Sequence, residues 1–200
     1  MLQEGMIEPP GEGEEREITM ELTAGTVSVR LVARGGRPWI TMRQLPPKFL
    51  RRYTASEVAP VFGLKPSEIR SDVPVQTVST GTPQLMIPLV DETALNRAAL
   101  HREHYLALKA KGDFFSSHLF VLYPDRDAPS TRARHLAVSP DIIEDPFTGS
   151  ATGGMGAYLY ANGLISTTQF TALQGATVGR PGIAACTIVP SSEGEGGVAA

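Results

Sequence analysis

Apolar and polar residues alternate over Ile18-Thr19-Met20-Glu21-Leu22 and again over Val27-Ser28-Val29-Arg30-Leu31. A period of two sends successive side chains to opposite faces of an extended chain. With Ala24-Gly25 between them, the two runs predict a β-hairpin. Gly35-Gly36 turns the chain into Trp39-Ile40-Thr41-Met42, a third strand. Leu45-Pro46-Pro47-Lys48 breaks the pattern and is the expected link between two domains. Thr54-Ala55-Ser56-Glu57 is a capping-box pattern that opens a short helix ending near Gly63. Pro60 limits that helix, because a proline beyond the first turn removes a hydrogen bond.

Further strands are expected over 73–78, 85–87, 118–123 and 134–138, with a polar loop over 125–130. One or two helices are expected over 91–111, stopped by Gly112. Two last strands, over 170–173 and 183–189, flank a turn at Gly179-Arg180-Pro181-Gly182. The sum is many antiparallel strands and one central helix, an α+β fold. The acidic, Pro- and Gly-rich start reads as a flexible leader, and the Gly-rich end from Ser191 as a flexible tail.

That central helix carries the candidate chemistry. Glu144-Asp145-Pro146 is extended, Thr148-Gly149-Ser150 turns, and a helix runs from Ser150 to Asn162-Gly163. Thr148 or Ser150 can cap its start with a hydroxyl, and Gly163 can close its end in a left-handed conformation. Gly149, Gly153, Gly154 and Gly156 crowd its first half, and each interior glycine costs roughly 0.5–1 kcal/mol relative to alanine. Such a helix needs the close approach of another backbone, or of a ligand at its N-terminus, where free N–H groups favour an anion. Asp145 stands just before that seat. A carboxylate seat beside a group that can carry a proton suggests acid–base chemistry on a small carboxylic acid. The same residues also read as a plain turn and a helix packed through its glycines.

Composition narrows the class. Of 200 residues 42% are apolar, which suits a globular protein, and a net charge of −3 offers no basic face to nucleic acid. No apolar run is long enough to span a membrane, and the first residues lack the pattern of a secretory signal. The single cysteine, Cys186, excludes an internal disulfide and a multi-cysteine metal site, and reads as a small buried apolar residue. His101 and His104 lie one turn apart on a solvated helix face without an acidic ligand at zinc-site spacing. His118 and His135 read as ordinary half-buried strand residues. The glycine run lacks the lysine of a phosphate loop and the G-x-S-x-G of a hydrolase elbow.

Asp145-Pro146-Phe147-Thr148-Gly149-Ser150-Ala151 resembles the E-D-P-x-T-G-S-A signature of the PhzF-like isomerases of phenazine biosynthesis, relatives of diaminopimelate epimerase. Leu173-Gln174-Gly175-Ala176-Thr177-Val178-Gly179-Arg180-Pro181 resembles that family's Q-G-x-x-x-G-R-P. The resemblance implies a diaminopimelate epimerase-like α+β fold, in which a curved sheet wraps a central helix in each of two domains and the active site lies in the cleft between them. On that pattern 1–16 is a leader, 17–47 a remnant of the first domain, 48–190 the second domain, and 191–200 a tail.

The implied function is a cofactor-independent isomerase or epimerase that moves a proton on a small, amino-substituted carboxylic acid. Asp145 would move the proton, and Gly149 and Ser150 would hold the carboxylate. No metal and no cofactor are implied; the expected form is a cytoplasmic homodimer. Cysteine-dependent racemases of the wider fold carry a cysteine where Asp145 stands, so that chemistry is not expected. The family's catalytic glutamate, in a Ser-Glu motif, and its Gly-His-Pro motif have no counterpart here, and its Arg-x-Phe-x-Pro keeps only the arginine in Arg134-His135-Leu136-Ala137-Val138. A catalytically inactive homologue that binds a ligand or dimerises is the alternative.

Overall fold

The computed structural model describes residues 7–22, 25–123, 130–138, 143–190 and 197–199. Residues 1–6 of the expected leader, Ala24 of the first turn, 125–129 of the polar loop, and 191–196 and 200 of the tail lie outside them.

The chain opens as a meander of β1 (Glu15–Leu22), β2 (Gly25–Arg34) and β3 (Arg37–Arg43), all antiparallel. Gly35 and Gly36 turn it with φ of 58° and 71°. Positive φ at both central residues matches the twist of the flanking strands, and glycine reaches it without strain. The Glu12 carboxylate accepts the N–H groups of Gly35 and Gly36 at 3.0 and 3.3 Å, so part of the expected leader is tied to this turn. Alternation holds in β2, where Val27, Val29 and Leu31 are buried, whereas β3 is exposed along its whole length.

β4 (Lys48–Tyr53) is absent from the sequence-based pattern. It is an edge strand with one partner, β5 (Val75–Ser79), and only Tyr53 is buried. Only its last residue meets the core, so no period of two was needed to make it. The Thr54 capping box forms as expected, with Glu57 N–H donating to Thr54 Oγ1 and Thr54 N–H to Glu57 Oε2. α1 (Ala55–Val58) then tightens into a 3₁₀ turn at Pro60, and Gly63 closes it in the left-handed region.

β6 (Pro83–Pro88), α2 (Glu92–Arg97), α3 (Arg102–Lys109) and β7 (Ser116–Leu122) follow. Next come β8 (Thr131–Leu136), β9 (Glu144–Asp145), α4 (Gly149–Ala161), β10 (Gln169–Gln174), β11 (Gly182–Val189) and β12 (Gly197–Ala199). The strand order is β1-β2-β3-β12-β11-β10-β8-β7-β6-β5-β4, with β9 alongside β8. Two neighbours are parallel, β6 with β7 and β8 with β10. Parallel strands need a crossover, and helices supply it: α2 and α3 in the first case, α4 in the second. β12 lies inside the segment read as a tail and bridges β11 to β3.

This is a mixed sheet curled around α4, whose residues Ala151 through Leu159 are all buried. β7 is covered on both faces. Leu119 and Val121 join Phe62, Leu95 and Tyr105 under the outer helices, while Phe120 joins Met86, Met155 and Tyr158 against α4. Strands buried on both sides read as continuous apolar runs, as His118-Leu119-Phe120-Val121-Leu122 does. The glycines of α4 serve this packing. A Cβ on Gly153 would lie 2.1 Å from Gln44 Oε1, and one on Gly154 would lie 2.9 Å from Met86 Cε.

Arg134 ties the outer layer to the candidate site. Its fork donates to both Glu144 oxygens at 3.0 and 2.7 Å, and its Nη1 donates to the carbonyls of Leu95 and Ala98 at the end of α2. A planar guanidinium suits both a carboxylate and the unpaired carbonyls of a helix C-terminus.

Candidate active site at the start of the central helix

Asp145 reaches its position because β9 pairs with β8, which sets it opposite His135. Pro146 then turns the chain. Asp145 Oδ2 accepts the Thr148 hydroxyl at 2.6 Å, and Oδ1 accepts the Phe147 N–H at 3.4 Å. Thr148 is the N-cap residue of α4, but its hydroxyl makes no bond to the helix. The expected hydroxyl cap is therefore corrected: the Thr148 hydroxyl donates instead to the Asp145 carboxyl three residues back. The first intrahelical bond runs from Thr152 N–H to the Thr148 carbonyl, so the N–H groups of Gly149, Ser150 and Ala151 precede it.

The second sequence motif braces this turn. Gln174 Nε2 donates to the Asp145 carbonyl at 2.8 Å, and Gln174 Oε1 accepts the Thr148 N–H at 3.3 Å. Gly175 has φ +84°, and a Cβ there would stand 2.3 Å from the carbonyl oxygens of both Pro146 and Arg180. Only glycine lets the two loops meet this closely.

Asp145 and Ser150 line one cavity of about 590 Å³, together with Gln84, Lys109, Phe115 and His135. Lys109 Nζ is held at its rim by the Phe115 carbonyl at 2.8 Å. Gly149 faces a different cavity, of about 430 Å³, with Gln44, Phe147 and Trp39. Its Cβ position is open, with no atom within 4 Å, and its carbonyl accepts Gln44 Nε2 at 2.7 Å. Gln44 follows β3 directly and anchors the first meander to the start of α4. Of the three residues singled out from sequence, Asp145 and Ser150 are thus brought to one cavity and Gly149 to its neighbour.

Sequence reasoning passed over Gln44, Lys109 and Gln174 and gave His135 no role. Gln174 was inside a quoted motif; Gln44 and Lys109 carry no local signal. The half-buried reading of His118 and His135 is corrected: they are 0% and 5% exposed and stand opposite each other on β7 and β8. Their Nδ1 atoms are 3.3 Å apart. His101 and His104 stack with ring centres 6.0 Å apart, and His104 Nδ1 lies 3.1 Å from the Pro60 carbonyl. Among the described residues, no three His, Cys, Asp or Glu side chains form a metal cluster. Cys186 is buried, and burial pushes its thiol up to about 12, so it is no thiolate at neutral pH.

Burial pushes His135 down to about 4, against the pull of Asp145, and burial with His135 nearby holds His118 well below its ordinary value. Both folded values lie under the unfolded one, so the unfolded chain takes up protons first as pH falls. The stabilisation is complete above about 6.5 and is lost as pH drops toward 4, with about 3 kcal/mol at stake from His135. Urea unfolding at pH 7 and pH 4.5 is expected to show this loss; equal midpoints would contradict the neutral buried pair. Glu144 adds to the loss at lower pH. Burial raises it, but Arg134 and Thr177 pull it below the usual carboxylate range.

The profile of a family described as phenazine biosynthesis-like protein, PhzC-PhzF, matches residues 5–195. The uncharacterized isomerase YfhB of Bacillus subtilis is 29% identical over 171 residues, covering 82% of this chain and 57% of its own length. The uncharacterized isomerase YddE of Escherichia coli K12 is 26% identical over 156 residues, covering 74% and 52%. This chain thus spans little more than half the length of these two curated relatives. A Bacillus anthracis phenazine biosynthesis protein of the PhzF family superposes with a TM-score of 0.79 at 25% identity, over 99% of this chain and 67% of that one. A hydroxyproline epimerase from Agrobacterium vitis shares the fold, with a TM-score of 0.63 at 13% identity over 99% and 59%.

Proposed function

The chain belongs to the PhzC-PhzF family of phenazine biosynthesis-like proteins, and on that premise we propose that its Asp145 cavity moves a proton, without a cofactor, on a small amino-substituted carboxylic acid. The observation that carries this reading is the meeting of Asp145 and Ser150 in one cavity at the start of α4. Asp145 takes and returns the proton. The substrate carboxylate sits on the Gly149–Ser150 turn, where leading N–H groups and the helix dipole favour an anion. Lys109 at the rim adds a positive charge that favours an acidic ligand.

In this reading 17–47, which holds all of β1–β3 but the first two residues of β1, belongs to a first domain and 48–190 form the second. The proton's other partner, a glutamate in related proteins, comes from outside the residues seen here, on a longer chain or a partner chain. A cytoplasmic location belongs to the same proposal; among the described residues no helix is long and apolar enough to cross a membrane.

The test is incubation in D₂O with a panel of small amino acids and amino-substituted unsaturated acids, followed by proton NMR. Deuterium entering a carbon next to the carboxylate supports the reading. Binding of an acid at Ser150 without any deuterium uptake would favour a non-catalytic binding module.

One observation favours dimer formation in either case. Trp39, Ile40 and Ile183 are 50%, 57% and 70% exposed around a single cavity, and large exposed apolar residues in one patch mark a contact surface. A dimer that covers them is expected in light scattering, and a monodisperse monomer would contradict it.

A further inference from the structure

Four strands bring a row of polar side chains to the inner face of the sheet. Gln84 on β6 stands opposite Ser116 on β7, His118 on β7 opposite His135 on β8, and His135 opposite Asp145 on β9. The Gln84 amide accepts from the Ser116 hydroxyl and lies 3.5 Å from Ser150 Oγ. The row ends at the cavity in front of α4. His118 lies outside the motifs of the sequence, and His135 stands at a variable position of the Arg134–Val138 match.

The two imidazoles constrain each other. With Nδ1 atoms 3.3 Å apart, one nitrogen donates and the other accepts, since two N–H groups or two lone pairs would repel. If one ring carries its proton on Nδ1, the other carries it on Nε2. His118 is fully buried, between Met86 on the neighbouring strand and Phe120 two residues on, and its Nε2 is enclosed with no partner among the described residues. His135 lines the cavity beside Asp145.

Of the two arrangements, one gives His135 the Nδ1 proton. His118 would then bury an orphan N–H, and His135 would carry an Nε2 lone pair in the cavity it shares with the Asp145 carboxylate. The other gives His118 the Nδ1 proton. It leaves His118 a bare nitrogen in an apolar pocket and gives His135 an Nε2–H in the cavity it shares with the Asp145 carboxylate. An unsatisfied buried acceptor is better tolerated than an orphan N–H, and a donor beside an anion is attracted to it. Burial keeps both rings neutral. Among the described residues, the other titratable groups that line this cavity are Asp145 and Lys109; Glu144, next to Asp145 on β9, is turned to Arg134.

We propose that His135 is the neutral hydrogen-bond donor of this cavity, with its Nε2–H fixed by His118 and presented beside Asp145 to an oxygen of the bound acid. This rests on the reading of the cavity as the seat of a small carboxylic acid. A fixed neutral donor stabilises charge that develops on a carboxylate or enediolate oxygen. It does not give up its proton, because that would leave an imidazolate. Proton movement therefore stays with Asp145, and His118 is a positioning residue that acts through His135.

The experiment is long-range proton–nitrogen NMR of the imidazoles in the free protein at pH 7, followed by titration with benzoate. Expected are an Nε2–H tautomer for His135 and an Nδ1–H tautomer for His118. Benzoate should shift the His135 Nε2–H together with the Gly149 and Ser150 amides. An imidazolium, or a bare Nε2, at His135 would overturn the proposal and leave the role of Asp145 untouched. His118→Phe should let His135 populate both tautomers; a pure Nε2–H there would remove His118 from the device.

Affinity gives the second arm. His135→Asn cannot reach the place of Nε2 and should weaken benzoate binding about tenfold, the worth of one hydrogen bond to a charged group. His135→Gln, whose amide does reach it, should recover most of that loss. Equal affinity in wild type and both variants would overturn the donor role alone. No amide shift in wild type would overturn the acid seat, and the donor role with it. If neither variant folds, the tautomers of the wild type still decide.

Discussion

Asp145→Asn is expected to leave the protein folded and to lower deuterium uptake into a responsive acid at least a hundredfold. Asn has the same shape: its amide oxygen can still accept the Phe147 N–H, and its NH2, in the place of Oδ2, can donate to the Thr148 hydroxyl, which then accepts; these are the two bonds Asp145 makes through its side chain. It loses the charge on the shorter of these, which costs on the order of 1 kcal/mol. What it cannot do is hold a proton between two steps. A positioned acid–base group contributes roughly 10²–10⁴ to a rate, so the loss should far exceed the change in stability. Uptake measured by NMR beside a urea unfolding curve separates the two. Undiminished exchange in a folded Asn variant would take Asp145 out of the mechanism, and the base would have to be sought elsewhere in the cavity.

Gly175→Ala should be among the most destabilising single-methyl changes in the chain, at roughly 3–4 kcal/mol. Its φ of +84° already costs a residue with a Cβ about 1–2 kcal/mol. The new methyl would also stand 2.3 Å from two carbonyl oxygens, of Pro146 and Arg180. These are backbone atoms, so the loop carrying Asp145 must move rather than a side chain swing aside, and forced backbone shifts add about 1–3 kcal/mol. Gly163→Ala is the control. Gly163 also has positive φ, +65°, but nothing lies within 4 Å of its missing Cβ, so only the conformational part, about 1–2 kcal/mol, should appear. Unfolding midpoints of the two variants that coincide would mean the close contact is relieved cheaply. A larger loss at Gly175 should come with lost deuterium uptake, because the same loop positions Asp145.

Much of the local structure was legible from the chain. The hairpin over β1 and β2, the Gly35-Gly36 turn, the Thr54 box and the stop at Gly63 depend on neighbours a few residues apart. So do the start and end of α4, and each appears where the pattern put it. β4 was not legible because it is an uncovered edge, with no buried face to impose a period. The hydroxyl cap on α4 was misread because Thr148 has a competing partner, the Asp145 carboxyl, to which its hydroxyl donates. The glycines of α4 announced close approach, and Gly153 and Gly154 are so approached. That Gln44, more than a hundred residues away, does the approaching at Gly153 was not in the sequence.

The two motifs by themselves determined the family, the α+β class and Asp145 as the acid–base candidate, because each encodes a turn whose chemistry is local. The tertiary structure decided the company Asp145 keeps. His118, His135 and Asp145 meet because three strands pair in one register, and a slip of one residue would turn each to the other face. Gln174 braces the Asp145 turn because β10 returns parallel to β8 after the α4 crossover. A sequence fixes which side chain alternates with which. Only the packing of the sheet around the central helix fixes which of them share a cavity, and how far water is kept from them.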